Sequence, residues 1–122
     1  MKLLIDIGNT SAKLAVMGAD IVHFERRHES WKETLVRLMT MFSIADVRIS
    51  TVAGEDGELQ EALAQLEVPV QWLTPWLPCP VKPVWDVPPT YGADRWAADI
   101  GAIAQDPDHT LLVIDAGTCI TY

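Results

Sequence analysis

A short apolar run opens the chain and ends in a carboxylate. Leu3, Leu4 and Ile5 lead into Asp6-Ile7-Gly8-Asn9, and Lys2 to Ile7 reads as a buried strand. Lys13 to Met17 reads as the returning strand and, across Gly18-Ala19-Asp20, Ile21 to Arg26 as a third. In that third run Ile21, His23 and Glu25 alternate with Val22, Phe24 and Arg26, a weak period that suits an edge, with His23 and His28 as solvated strand-end residues. The period then changes. Trp31, Leu35, Leu38, Met39 and Phe42 share a helical face, and Ser30 with Glu33 forms a capping-box pattern, so a helix is predicted over Trp31 to Met41. Asp46 to Val52 reads as a strand and Gly54 to Gly57 as a loop. A second helix runs over Glu58 to Leu66 with Leu59, Ala62, Leu63 and Leu66 inward, and Val68 to Leu73 is short and extended.

From Thr74 to Thr90 the composition shifts. Seven of the eight prolines lie between Pro69 and Pro89, which forbids continuous helix and favours an extended path in which Trp72, Trp76 and Trp85 pack onto the body of the domain. Gly92-Ala93-Asp94-Arg95 opens a third helix that continues through Trp96, Ile100 and Ile103 and gives out near Asp106-Pro107. His109 to Ile114 reads as the final strand. The order β-β-β-α-β-α-(β)-α-β predicts an α/β fold: a mixed sheet of three antiparallel strands followed by αβα units, with helices on its faces.

A chain of 122 residues, 49% hydrophobic, is long enough for a domain with a real core, and its net charge of −8 argues against a nucleic-acid or anionic-membrane surface. No apolar run reaches the length of a bilayer span and no signal-peptide pattern precedes the first strand, so a cytosolic protein is expected. Cys79 and Cys119 stand at no metal or redox spacing, and both read as reduced.

Two stretches carry candidate chemistry on repeated plans. Asp6-Ile7-Gly8-Asn9-Thr10-Ser11, followed by Lys13, ends an apolar run in a carboxylate, a turn and short hydroxyl donors. Gly8 permits a positive φ, Asn9 tolerates the left-handed region, Thr10 and Ser11 donate, and Lys13 adds a point charge for phosphate; Asp6 suits a metal ion or its bound water. An ordinary polar hairpin turn is the simpler reading of this stretch taken alone. Yet Leu111 to Ile114, then Asp115-Ala116-Gly117-Thr118, repeats the plan, with Asp115 falling on Asp6 and Gly117 on Gly8, as two halves of a duplicated fold would. On this reading residues 1–110 form a first domain and 111–122 begin a second that stops just after its turn. Asp94 and Arg95, adjacent after a glycine at the mouth of a helix, read equally well as a cap with a stabilising cation or as an acid and a cation offered to a ligand.

Asp6-Ile7-Gly8-Asn9-Thr10 with Lys13, then Gly92-Ala93-Asp94-Arg95, then Asp115-Ala116-Gly117-Thr118, together resemble the type III pantothenate kinases, also described as Bvg accessory factors. That family belongs to the actin and sugar-kinase superfamily, whose duplicated ribonuclease-H-like halves clamp ATP between them; the chain is similar to the N-terminal half. The resemblance implies ATP-dependent phosphorylation of pantothenate, the first step of coenzyme A synthesis. It implies Asp94 as the base for the acceptor hydroxyl, Arg95 as partner of the acceptor carboxylate, and Gly92 and Ala93 as backbone closing on the acceptor. Asp6, Gly8, Asn9, Thr10 and Lys13 would hold the ATP phosphates and magnesium, Thr118 would touch phosphate from the other half, and Asp115 would bind potassium or ammonium. Trp85 stands where the family usually has a substrate-contacting tyrosine, keeping the aromatic wall without the hydroxyl. The family implies a homodimer, and no nucleic-acid or membrane partner is expected. The rival reading, a nucleotide-binding transcription regulator or inactive paralogue, has no need of the Asp94-Arg95 pair.

Overall fold

Leu3 and Ile5 point to one side of the first strand, and their partners across the sheet are apolar on the same side. This register decides where the core lies. A computed structural model describes residues 1–54, 56–74, 91–116 and 120–121 of the chain. The chain divides into two compact units, Met1–Leu73 and Thr74–Tyr122.

In the first unit, β1 (Lys2–Ile7) pairs antiparallel with β2 (Ala12–Met17), setting Leu3 opposite Val16 and Ile5 opposite Leu14. β2 pairs antiparallel with β3 (Ile21–Arg26), with an irregularity at Val16/Met17. The other edge of β1 runs parallel to β4 (Asp46–Thr51), and β4 runs parallel to β5 (Val70–Trp72). The resulting order, β3-β2-β1-β4-β5, puts β1 at the centre and β3 at the edge that its weak period predicts.

Two helices, α1 (Trp31–Met41) and α2 (Gly57–Ala64), close one face of this sheet. Leu3, Ile5, Leu14, Val16, Val47 and Ile49 from the strands meet Trp31, Leu35, Leu38, Leu59 and Leu63 from the helices in one buried cluster. Each such side chain contributes about 1.5–3 kcal/mol on burial. Ser30 and Glu33 form the capping box at the start of α1. α2 begins one residue earlier than its apolar period suggests, because the Asp56 side chain accepts from the Leu59 amide and so starts the helix, and it ends at Ala64 with Gln65 as its C-cap.

Trp31 links the two helices. Its fully buried indole donates from Nε1 to Asp56 Oδ2 at 2.7 Å, and its backbone N–H donates to Glu58 Oε1 at 2.7 Å. Each helix start thus supplies what the other needs. Arg37 on α1 reaches Glu25 of β3 at 2.6 Å and Glu29 at 2.8 Å, tying the edge strand down. His23 is not the solvated residue its position suggests: its Nε2 lies 2.8 Å from Glu25 Oε2 and its ring 5.4 Å from that of Phe42. The Arg37 hydrogen bond, with smaller help from His23, holds the Glu25 carboxyl below the usual range against the effect of burial.

The second unit contains α3 (Ala93–Gln105) and a short antiparallel pair, β6 (Asp115–Ala116) with β7 (Ile120–Thr121). His109 to Ile114 forms no strand, contrary to its apolar pattern. A strand exists only through a ladder, and no described residue pairs with this run; Leu112 is 74% exposed and Ile114 61%. The proline-rich stretch with Trp76 and Trp85, and Gly117, Thr118 and Cys119, lie outside the described residues. Among the described residues no helix is long and apolar enough to cross a membrane.

The Trp31 indole hydrogen bond, opposed by burial and aided by the Leu59 amide, holds the Asp56 carboxyl below its ordinary range. A lowered folded-state value means stabilisation that is present above the unfolded carboxyl range and lost as pH falls through the folded one. Asp56→Ala should therefore cost about 1–2 kcal/mol in urea unfolding at neutral pH, since it removes a cap and strands an indole N–H. The gap between variant and parent should narrow on acidification; a gap independent of pH would refute this account of the link.

Candidate functional site

Asp6 and Lys13 face each other across β1 and β2, and Lys13 Nζ lies 3.6 Å from Asp6 Oδ2 with both side chains nearly half exposed. Between them the chain reverses over Gly8 to Ser11, closed by the Gly8 N–H donating to the Ser11 carbonyl at 3.1 Å. The turn does not use the left-handed region proposed for Gly8 and Asn9: no described residue has a positive φ. A Cβ at Gly8 would meet only ordinary contact, with the Ser11 carbonyl oxygen at 3.5 Å. Asn9 and Thr10 are exposed at the tip. A carboxylate, a lysine and an open polar turn are therefore assembled by one hairpin.

Ser50 joins that group and is absent from the sequence-based candidates. It is the β4 partner of Asp6, so Lys13, Asp6 and Ser50 lie side by side across β2, β1 and β4 on the face away from α1 and α2. Its Oγ is buried and has no hydrogen-bond partner among the described residues. A hydroxyl one strand from a candidate aspartate was the available signal, but strand register is not written in the sequence of β4. Nearby, a cavity of about 360 Å³ opens at the C-terminal ends of the parallel strands, lined by Ile7, Thr51, Asp56, Leu59, Gln60 and Trp72 among others. Open α/β sheets take their ligands at this end of the strands.

The second unit holds the acid and the cation. Gly92 is the N-cap of α3 with no side-chain cap bond, and Asp94 and Arg95 occupy the first turn. The Asp94 carboxylate folds back so that Oδ1 accepts from the Arg95 backbone N–H at 2.9 Å. This conformation needs glycine at position 92, because a Cβ there would collide with Asp94 Oδ1. Ala93 is buried beneath the turn. Asp94 is thus both a helix-start residue and a held carboxylate, and its Oδ2 has no partner among the described residues.

Tyr91, also absent from the sequence-based candidates, precedes the cap. Its hydroxyl donates to Asp99 Oδ2 at 2.6 Å, a bond that with burial pushes the phenol up to about 12. Asp115 is exposed in β6 opposite Thr121. Trp85 and Thr118 fall outside the described residues. No group of three or more His, Cys, Asp or Glu residues poised for a metal occurs among the described residues.

A family model described as type III pantothenate kinase matches residues 2–122. The type III pantothenate kinase of Bacteroides fragilis is 37% identical over 123 residues, covering 100% of this chain and 51% of that protein. Those of Phocaeicola vulgatus and Flavobacterium johnsoniae are 35% and 32% identical, again covering 100% of this chain and 51% of theirs. The chain spans about half the length of the curated relatives it matches.

Gly92→Ala should leave the fold intact, since the clash falls on the end of a movable side chain, and should expel the Asp94 carboxylate from the turn. The Arg95 amide proton should then move upfield in a nitrogen-proton correlation spectrum, with the dispersion of the remaining resonances retained. An unmoved Arg95 amide would mean that the glycine has no part in holding Asp94.

Proposed function

The chain belongs to the type III pantothenate kinase family, and from that premise we propose that the protein carrying it transfers the γ-phosphoryl group of ATP to the hydroxyl of pantothenate. The observation that carries the reading is the first turn of α3, where Asp94 is held by the Arg95 backbone N–H with one oxygen satisfied and the other without a partner among the described residues.

In this reading the acceptor hydroxyl hydrogen-bonds to Asp94 Oδ2, which orients the oxygen and takes its proton as the bond to phosphorus forms. Oδ1, bound to the Arg95 amide, keeps the carboxylate from rotating away. Arg95 pairs with the acceptor carboxylate through two parallel N–H donors, a match that Lys could not reproduce. Gly92 and Ala93 let backbone approach the acceptor, and Trp85 supplies an aromatic wall. Gly8, Asn9, Thr10 and Lys13 hold the ATP phosphates, and Thr118 adds a donor from the second copy of the turn.

Magnesium would be held by Asp6, and would supply positive charge to offset that of the phosphates. One carboxylate with a neighbouring hydroxyl, Ser50, that has no partner among the described residues fits an ion that takes most of its other ligands from water and phosphate. Asp115 would take potassium or ammonium. The reading extends to a second, duplicated domain beginning at residue 111, a homodimeric enzyme and a cytoplasmic location.

The test uses the complete gene product with ATP, magnesium and pantothenate, in potassium or in sodium alone, with mass spectrometry for phosphopantothenate. Product in potassium only is expected; ATP binding without product in either salt would favour a nucleotide-dependent regulator. Asp94→Asn should lower turnover about 10²–10⁴-fold while ATP affinity stays within about twofold. Arg95→Ala should act mainly on the pantothenate KM, raising it by about tenfold or more. Equal loss of ATP affinity in the Asp94 variant would remove it from the role of base.

A further inference from the structure

Arg95 and Asp99 are four residues apart on α3, the spacing at which a helix brings opposite charges together. No ion pair joins them. The Asp99 carboxylate is instead engaged by Tyr91, whose hydroxyl donates to Oδ2 at 2.6 Å across the start of the helix. Arg95 is found over the Tyr91 ring, its Cζ 5.8 Å from the ring centroid, within cation–π range. Trp96 meets the same ring edge-on at 81°, with centroids 5.7 Å apart. Tyr91 is therefore engaged at its hydroxyl by Asp99 and packed against Trp96, with the Arg95 guanidinium over its ring.

Building on the acceptor reading above, we propose that Tyr91 is a positioning residue for Arg95: its hydroxyl engages Oδ2 of the carboxylate that would draw the guanidinium down the helix, and its ring holds that guanidinium near the start of α3. Two local effects then act in one direction. An arginine on a helix surface samples many rotamers and is captured by an acid one turn on; removing that competitor and supplying an aromatic platform narrows the ensemble towards the orientation a carboxylate-bearing acceptor needs. The acceptor touches Arg95, and Tyr91 acts through it.

Rescue separates a positioning role for Tyr91 from a purely structural one. In the complete gene product, Tyr91→Leu removes both the platform and the tether and should raise the KM for pantothenate about threefold to tenfold, with kcat and the ATP KM within about twofold of the parent. Adding Asp99→Ala to that variant removes the freed competitor and should recover about twofold of the loss. A pantothenate KM unmoved by Tyr91→Leu, a parallel change in kcat and both KM values, or a double variant no better than the single would overturn the proposal. A second readout needs no turnover. Phenylglyoxal modification of Arg95, followed by peptide mass spectrometry, should slow in Tyr91→Phe as Asp99 captures the guanidinium, and return to the parent rate in Tyr91→Phe/Asp99→Ala. Equal rates in all three proteins would overturn the proposal. If the parent protein phosphorylates no pantothenate, the kinase reading fails, and the Arg95 labelling alone decides whether Tyr91 positions it.

Discussion

Burying the Trp31 indole against the sheet takes its N–H out of water, and the acceptor that offsets this cost is Asp56. The consequences run outward from this one bond. Asp56 is also the N-cap of α2, so the start of α2 is pinned to the start of α1. Glu58 returns the favour by accepting from the Trp31 backbone. Arg27, with its Cζ 4.5 Å from the Trp31 ring centroid, covers the side of the indole that the core does not reach. The helix pair then closes over Leu3, Ile5 and Ile49, which leaves the opposite face of β1 for Asp6 and its neighbours.

Both candidate motifs are built from residues close in sequence that hold one another. The hairpin aligns Asp6 with Lys13 through strand pairing, and the parallel neighbour β4 adds Ser50. The first turn of α3 holds Asp94 through the Arg95 amide and through the space left at Gly92. Each unit therefore carries its own geometry into whatever larger arrangement it joins.

Much of this was legible in the sequence because the deciding forces were local. The strands β1 and β3 and the helix α1 follow directly from period, turn residues and the Ser30-Glu33 box. α2 was displaced because its start depends on Asp56, a cap lying in the stretch that reads as loop. His109 to Ile114 has the composition of a strand, but composition does not supply the neighbour a strand must pair with. Glycine at position 8 suggests a left-handed turn that the backbone does not make, whereas glycine at position 92 has a steric reason that appears only once the Asp94 carboxylate is placed. Ser50 and Tyr91 were missed for a shared reason: their significance lies in a register and in a contact across eight residues, and neither has a motif. The sequence assigns Trp85 and Thr118 by resemblance alone.

The central place of β1 also orders the way the sheet is made. Its pairing with β2, and that of β2 with β3, make a meander within the first 26 residues, so that half can form as soon as it is synthesised. Its other edge is completed only by β4, whose partners lie 44 residues further along in parallel register. Parallel closure over such a loop is the slow, entropically demanding step. A nascent chain therefore presents the open edge of its central strand until α1 and β4 have emerged, and this interval is when the protein is most exposed to chaperone binding or to pairing with another chain.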